Sequence, residues 1–371
     1  MKTWAMVCVV SVFGTFVSAC SGDEGHSEST VDVTIPGPYQ VGQRETSVTY
    51  RPEGLDEDRT LRLVLWYPTD ETDGVTPLFG ESLIDAAPIA EGEFPVLVYS
   101  HGTTSFAECA YSLMEYFASH GFVVASADHT GDNTSDVGIP RTTEMYLVRP
   151  QDVSAVIDTL YTLPAEDPLA GRLTDDVVLA GHSYGGFTAF ATVGAKFDEA
   201  LIDGCESDQS DEFCSTMNES YAEILRTGFN DTRVKALIPM APGNAAQLGP
   251  AGVSNVTIPI LHMTSTLDGR SGPDNANDPY WDAINSAGSM RVNYDKGGHH
   301  SYILTCEITP WVAGENGGGC GDENTDHATL IEATNVYSLA FARRHLFGDE
   351  AMDSILNGES STYEDVTLMY K

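Results

Sequence analysis

The stretch Asp176-Val177-Val178-Leu179-Ala180-Gly181-His182-Ser183-Tyr184-Gly185-Gly186-Phe187-Thr188-Ala189-Phe190 decides the fold. Val177 to Ala180 is a short apolar run, which suits a strand buried on both faces. Gly181 to Gly185 follows without a spacer and matches G-x-S-x-G, and Gly186 to Phe190 starts a helix. A strand that turns sharply into a helix leaves the central serine hydroxyl exposed above the sheet, provided the flanking residues let the backbones approach closely. The five-residue pattern is weak by itself; the strand before it and the helix after it give it weight.

Outward from this turn the same alternation recurs. Val31 to Thr69 is strand-like, with Arg59 to Tyr67 alternating, and predicts an antiparallel start. Phe94 to Ser100 and Phe122 to Ala127 are apolar runs, with a helix expected around Leu113 to Ser119 between them. Val153, Val156, Ile157 and Leu160 share one helical face within Asp152 to Leu160. Further strands are expected at Val234 to Met240, Ile258 to Met263 and Met290 to Tyr294, and a closing helix at Ala328 to Leu346. Apolar strands alternating with helices predict an α/β fold, a mostly parallel sheet with helices on both faces. Lys196 to Asp231 and Thr305 to His327 are longer than ordinary connections and read as two cysteine-bearing loop insertions in one domain, residues 31–371.

A serine so placed needs a base and an orienting acid, in the chain order serine, acid, histidine. Asp268 follows the strand ending at Met263, and His299 and His300 follow the last strand. Each stands just past the carboxyl end of a strand, where open α/β sheets carry their chemistry. His299 is the expected base and His300 the alternative, since consecutive side chains of an extended segment leave on opposite sides. Two backbone N–H groups should face the developing oxyanion: that of Tyr184, after the serine, and one from His101-Gly102-Thr103, assigned to Thr103 with Thr104 as alternative. His101, Asp128 and His129 are expected on the pocket wall.

Composition narrows the partners. The chain has 371 residues, 18 Lys+Arg and 55 Asp+Glu, a formal net charge of −37. Nucleic acid would be repelled, and no basic cluster is present to bind it. Neither C-x-x-C nor H-E-x-x-H occurs, so no metal and no cofactor is expected.

The N-terminus reads as an address. Lys2 precedes a largely apolar run from Trp4 to Val17, too short to span a bilayer, and predicts a signal peptide over residues 1–19. Val17-Ser18-Ala19-Cys20 resembles a bacterial lipobox, which implies a lipidated Cys20 anchoring the chain to the cell envelope. The alternative is cleavage after Ala19 and free secretion. Residues 20–30 then form a flexible tether, for Ser21 to Thr30 holds no aliphatic or aromatic residue. In an oxidising compartment Cys205 with Cys214, and Cys306 with Cys320, are the pairs close in sequence, leaving Cys109 over.

Ser100-His101-Gly102, Gly121 to Gly131, Arg149-Pro150-Gln151-Asp152-Val153, Gly181 to Gly186 and Gly297-Gly298-His299 together resemble the α/β-hydrolases of the group containing predicted dienelactone hydrolases and platelet-activating-factor-acetylhydrolase-like esterases. The resemblance runs over roughly Pro95 to Phe347. It implies the α/β-hydrolase fold and ester hydrolysis through an acyl-enzyme, with a small-molecule, lipid or polyester substrate. Two positions depart from the pattern. Dienelactone hydrolases proper carry cysteine at the turn, here Ser183, and the acetylhydrolases carry their acid after the sixth strand, where Met240-Ala241-Pro242-Gly243-Asn244 has none. Asp268, one strand later, matches the layout of dienelactone hydrolases and cutinase-like polyester hydrolases. Rival readings are a catalytically idle hydrolase fold serving as a surface binding protein, and a peptidase or thioesterase using the same residues.

Overall fold

The computed structural model describes residues 31–89, 91–309, 317–359 and 363–371. The expected signal peptide, Cys20 and the tether lie outside the described residues. Residues 32–371 form one compact unit.

Among the described residues ten strands make a single sheet: β1 (Gln40–Tyr50), β2 (Arg59–Thr69), β3 (Leu83–Ile84), β4 (Phe94–Ser100), β5 (Val123–Ala127), β6 (Leu173–His182), β7 (Val234–Met240), β8 (Leu261–Ser265), β9 (Met290–Tyr294) and β10 (Val366–Tyr370). Their spatial order is β10-β9-β8-β7-β6-β4-β5-β2-β1-β3. The six strands β5, β4, β6, β7, β8 and β9 run parallel, while β1 with β2, β2 with β5, and β9 with β10 pair antiparallel. The antiparallel start and the parallel centre are both as the sequence reading has them. This is the α/β-hydrolase arrangement the resemblance implies.

The helices that bear on the site are α1 (Tyr111–Ser119), α2 (Thr143–Tyr161), α3 (Tyr184–Thr192), α4 (Glu199–Gly204), α5 (Glu219–Thr227), α6 (Ala245–Val253), α7 (Asp278–Ala283), α8 (Thr305–Ile308) and α9 (His327–Phe347). Val96, Val98, Val177 and Leu179 share a core with Val153, Ile157, Phe187 and Phe190 of α2 and α3. The alternate residues Leu97, Val124 and Val178 are buried as well, so they face the opposite layer, where α1 and α9 pack. Two-sided burial explains why these strands read as unbroken apolar runs. At roughly 1.5–3 kcal/mol for each large side chain buried, this core dominates the stability that holds the turns in place.

The structure departs from expectation most tellingly in β8, α2 and β10. β8 starts at Leu261 rather than Ile258, because Pro259 has no N–H to give to a ladder and Ile260 makes only an isolated bridge to Leu237. α2 begins at Thr143, well before Asp152: Pro150 reads as a stop, yet Met145, Tyr146, Leu147 and Val148 are buried and carry the helix through it. β10 was not foreseen; it is a half-exposed edge strand whose register is set by β9.

The first insertion folds into α4 and α5, whose first turns are capped by the Asp198 and Asn218 side chains. Cys205 bridges Cys214 and Cys306 bridges Cys320, and Cys109 is a buried free thiol. Closing a loop of about ten residues restricts the unfolded chain by about 2–3 kcal/mol in the chain-entropy account. The double variant Cys205→Ser, Cys214→Ser is therefore expected to lose about that much in denaturant unfolding. Peptide mapping without reductant checks the pairing, and a Cys205 or Cys214 peptide found free or joined to Cys306 or Cys320 would refute it.

Candidate active site

β6 delivers Ser183. Its backbone adopts φ 55° and ψ −119°, which non-glycine residues avoid, and α3 starts at the next residue. Close packing forces the turn. A Cβ on Gly185 would overlap the carbonyl of Ser100 at the end of β4, and one on Gly181 would overlap the carbonyl of Gly185. Ser183 N–H donates to the Met240 carbonyl (2.9 Å) and Gly243 N–H donates to the Ser183 carbonyl (3.1 Å), tying the turn to the end of β7. The side chain is left half-buried.

His299 and Asp268 meet it. His299 Nε2 lies 3.0 Å from Ser183 Oγ and His299 Nδ1 lies 3.0 Å from Asp268 Oδ2. A carboxylate only accepts, so the imidazole proton sits on Nδ1 and Nε2 is left to take the Ser183 hydroxyl hydrogen. The other oxygen, Asp268 Oδ1, accepts the amides of Arg270 and Ser271, each at 2.8 Å, which fixes the carboxylate plane. Such a chain can draw a proton from a serine as it attacks and hold the resulting imidazolium.

The backbone of His299 is clamped from two sides. Its amide donates to Gly317 O (2.9 Å) and the amide of His300 to Gly318 O (2.7 Å), so the glycine run closed by the Cys306–Cys320 bridge runs alongside it. Gly298 leaves no room for a Cβ against Gly317 and Gly319. The His299 carbonyl accepts from His182 Nε2 at 2.6 Å, which puts the His182 proton on Nε2. Burial pushes His182 down to about 3 and His300 down to about 2. Both imidazoles are therefore neutral at neutral pH, and His300 makes no hydrogen bond to Ser183.

Two amides border the serine. That of Tyr184 occupies the first position of α3, where helix geometry provides no internal acceptor. On the other side Gly102 packs against Ser183, a Cβ there reaching within 3.3 Å of the serine Cβ. Thr104 N–H donates to Asp132 Oδ1 (3.0 Å), whereas the Thr103 amide has no partner among the described residues. Of the two expected donors in this loop, Thr104 is thus engaged elsewhere and Thr103 is available.

His101, Asp128 and His129 stand elsewhere than the expected pocket wall. His101 is fully buried, donating from Nδ1 to Gly102 O (2.7 Å) and accepting the His129 amide at Nε2 (3.0 Å). His129 is buried between Ser100 Oγ (2.8 Å) and Asp152 Oδ2 (2.8 Å). Their polar atoms serve the loop from behind. Asp128 accepts from Ala107 N–H and Arg62 and lines a cleft of about 280 Å³ with Leu78, Phe79, Phe106 and Thr134, which includes none of Ser183, Asp268 and His299.

The sequence reading missed two arginines that pack against Tyr184 and the loop carrying Thr103. Arg141 donates to Thr103 Oγ1 and to Glu212 of the Cys205–Cys214 loop, and its guanidinium lies 4.6 Å from the centre of the Tyr184 ring. Arg149 lies 4.7 Å from the same centre. Arg149-Pro150-Gln151-Asp152 was visible as a resemblance, but nothing in its spacing announced these contacts. Among the described residues no group of three or more His, Cys, Asp and Glu side chains is arranged to hold a metal ion.

Comparison with known proteins bears on the fold and on part of the chain. The model of the chlorophyllase family matches residues 69–202, under half of the chain, a span that holds Thr103, Ser183 and Tyr184 but neither Asp268 nor His299. No curated protein matches the chain in sequence. Among solved structures, a ferulic acid esterase from Streptomyces cinnamoneus superposes with a TM-score of 0.61 at 20% identity, covering 91% of this chain and 98% of that one. At that identity the likeness is one of fold.

The two neighbouring histidines are separable by kinetics. His299→Ala is expected to abolish ester turnover, while His300→Ala loses at most about tenfold, roughly 1.4 kcal/mol of transition-state stabilisation. The measurement is kcat/KM on variants of unchanged thermal stability, and the reverse ranking would move the base to His300.

Proposed function

We propose that the chain is a serine hydrolase of carboxylic esters that works through an acyl-enzyme. The observation that carries this reading is the hydrogen-bonded series Ser183 Oγ, His299 Nε2, His299 Nδ1, Asp268 Oδ2 at the carboxyl end of the sheet, with both links at 3.0 Å. The similarity to the chlorophyllase family model and the fold shared with a ferulic acid esterase support ester hydrolysis as the reaction class.

In this reading Ser183 Oγ attacks the ester carbonyl carbon while its proton passes to His299 Nε2. Asp268 keeps the imidazole in the tautomer that can accept and stabilises the cation that forms. The carbonyl oxygen becomes an oxyanion between the amides of Thr103 and Tyr184, where fixed dipoles stabilise charge without reorganising. His299 then protonates the leaving alcohol, and water, activated by the same imidazole, releases the acid. No step requires a group beyond this chain and water. The two disulfides fit an exported protein, and we infer that Cys20 carries the lipid that holds it at the envelope.

Ser183→Ala is expected to stay folded and to lose about 10⁴- to 10⁶-fold in kcat on p-nitrophenyl esters, the scale seen when a triad nucleophile is removed. Retention of most of the activity would reject Ser183 as nucleophile. Cys20→Ala is expected to move the protein out of the membrane fraction or to block its maturation. A wild-type N-terminal peptide without lipid, together with unchanged partition of the variant, would favour free secretion.

A further inference from the structure

Behind the proposed oxyanion hole lies a buried polar network centred on Arg149, whose side chain is fully buried. One terminal nitrogen donates to Asp132 Oδ2 at 2.7 Å, an ion pair in which neither partner is exposed. The other donates to Ser100 Oγ (3.2 Å) and to the carbonyl of His101. The guanidinium carbon lies over the Tyr184 ring, 4.7 Å from its centre. One side chain thus touches both strand ends that frame the hole: the loop after β4 and the residue after Ser183.

The loop needs this support. Ser105 N–H donates to the Gly102 carbonyl (3.3 Å), closing a four-residue turn with Thr103 and Thr104 at its centre. Thr104 takes φ 50°, a left-handed conformation that a β-branched residue resists. What holds it there is Asp132, whose Oδ1 accepts the Thr104 amide at 3.0 Å while Oδ2 pairs with Arg149. With Thr104 N–H turned inward to Asp132, the Thr103 amide is the one left without a partner among the described residues.

We propose that Arg149, acting through Asp132 and the Tyr184 ring, is a positioning residue that sets the two oxyanion-binding amides relative to each other. It touches no reacting atom. The inference rests on the reading of Ser183 as nucleophile, and it says where part of the transition-state stabilisation originates. An oxyanion-hole donor is worth about 10²- to 10³-fold in kcat, and the gain depends on the donor meeting an oxygen whose place is set to a fraction of an ångström. Lysine keeps the charge but lacks the planar fork that reaches Asp132, Ser100 and His101 together.

The test compares wild type, Arg149→Lys and Asp132→Asn on matched p-nitrophenyl butyrate and its thionoester. The thionoester's carbonyl sulfur is larger than oxygen and a poor acceptor, so it draws little from the two amides. Wild-type activity and its loss in Ser183→Ala are measured first; absence of either is a failure of the parent reading, seen before any Arg149 variant is consulted. With those in place, Arg149→Lys is expected to lose about 10- to 100-fold in kcat on the ester, to keep KM within about twofold, and to show a clearly smaller ester-to-thionoester preference. Asp132→Asn, which nearly preserves shape, should shift both quantities in the same direction by a smaller factor, and it decides the matter where Arg149→Lys does not fold. A folded variant whose activity falls equally on both substrates, with the preference unchanged, would make Arg149 a packing residue and overturn the proposal. So would unchanged kcat on the ester.

Discussion

Ser183 is held at φ 55° in a turn whose glycines have no space for a side chain, and the rest of the molecule is arranged around keeping it there. A non-glycine residue in such a conformation costs of order 1–3 kcal/mol and persists only when its surroundings over-determine it. Here the amide and carbonyl of Ser183 are both fixed by the end of β7, and Gly185 presses on the Ser100 carbonyl at the end of β4. Three neighbouring parallel strands therefore converge on one residue. Their cores, buried on both faces, supply the rigidity that a local turn lacks.

Each remaining part of the site is held by a different device. Asp268 is fixed by two backbone amides, His299 by the glycine segment that a disulfide closes, and the loop carrying Thr103 by the buried Arg149–Asp132 pair. The interior also contains a second series of the same residue types: Ser100 Oγ to His129 Nε2 and His129 Nδ1 to Asp152 Oδ2, each at 2.8 Å. Ser100 and Asp152 are wholly buried, and Tyr50 and Arg59 donate to Asp152 as well. Ser100 Oγ is closed off from solvent. Hydrogen-bond order is therefore insufficient to mark a nucleophile; what sets Ser183 apart is a side chain only half-buried at a strained turn, with two amides beside it.

The sheet and the residues of the candidate site were legible because both leave strong local traces. Val177 to Ala180 running into Gly181 is a pattern that a buried strand and a crowded turn require together, and Asp268 and His299 follow recognisable strands at their carboxyl ends. The cysteine pairs were legible from short separation alone. The roles of His101 and His129 were not, since a histidine after a strand looks the same in sequence whether it faces a pocket or a buried carboxylate. Neither was the work of Arg149 and Asp132, whose partners lie on three separate segments that only the tertiary fold brings together. The extension of α2 through Pro150 was hidden for a related reason: burial of Met145 to Val148 overrode a local stop signal.

The central claim is that Ser183 is an activated nucleophile. Its most direct test is the reaction of the purified protein with a fluorophosphonate, followed by peptide mass mapping of the adduct. The account predicts one equivalent of phosphonate on the peptide containing Ser183, formed in step with loss of ester hydrolysis. An adduct on another residue, or full inactivation with Ser183 unmodified, would contradict it.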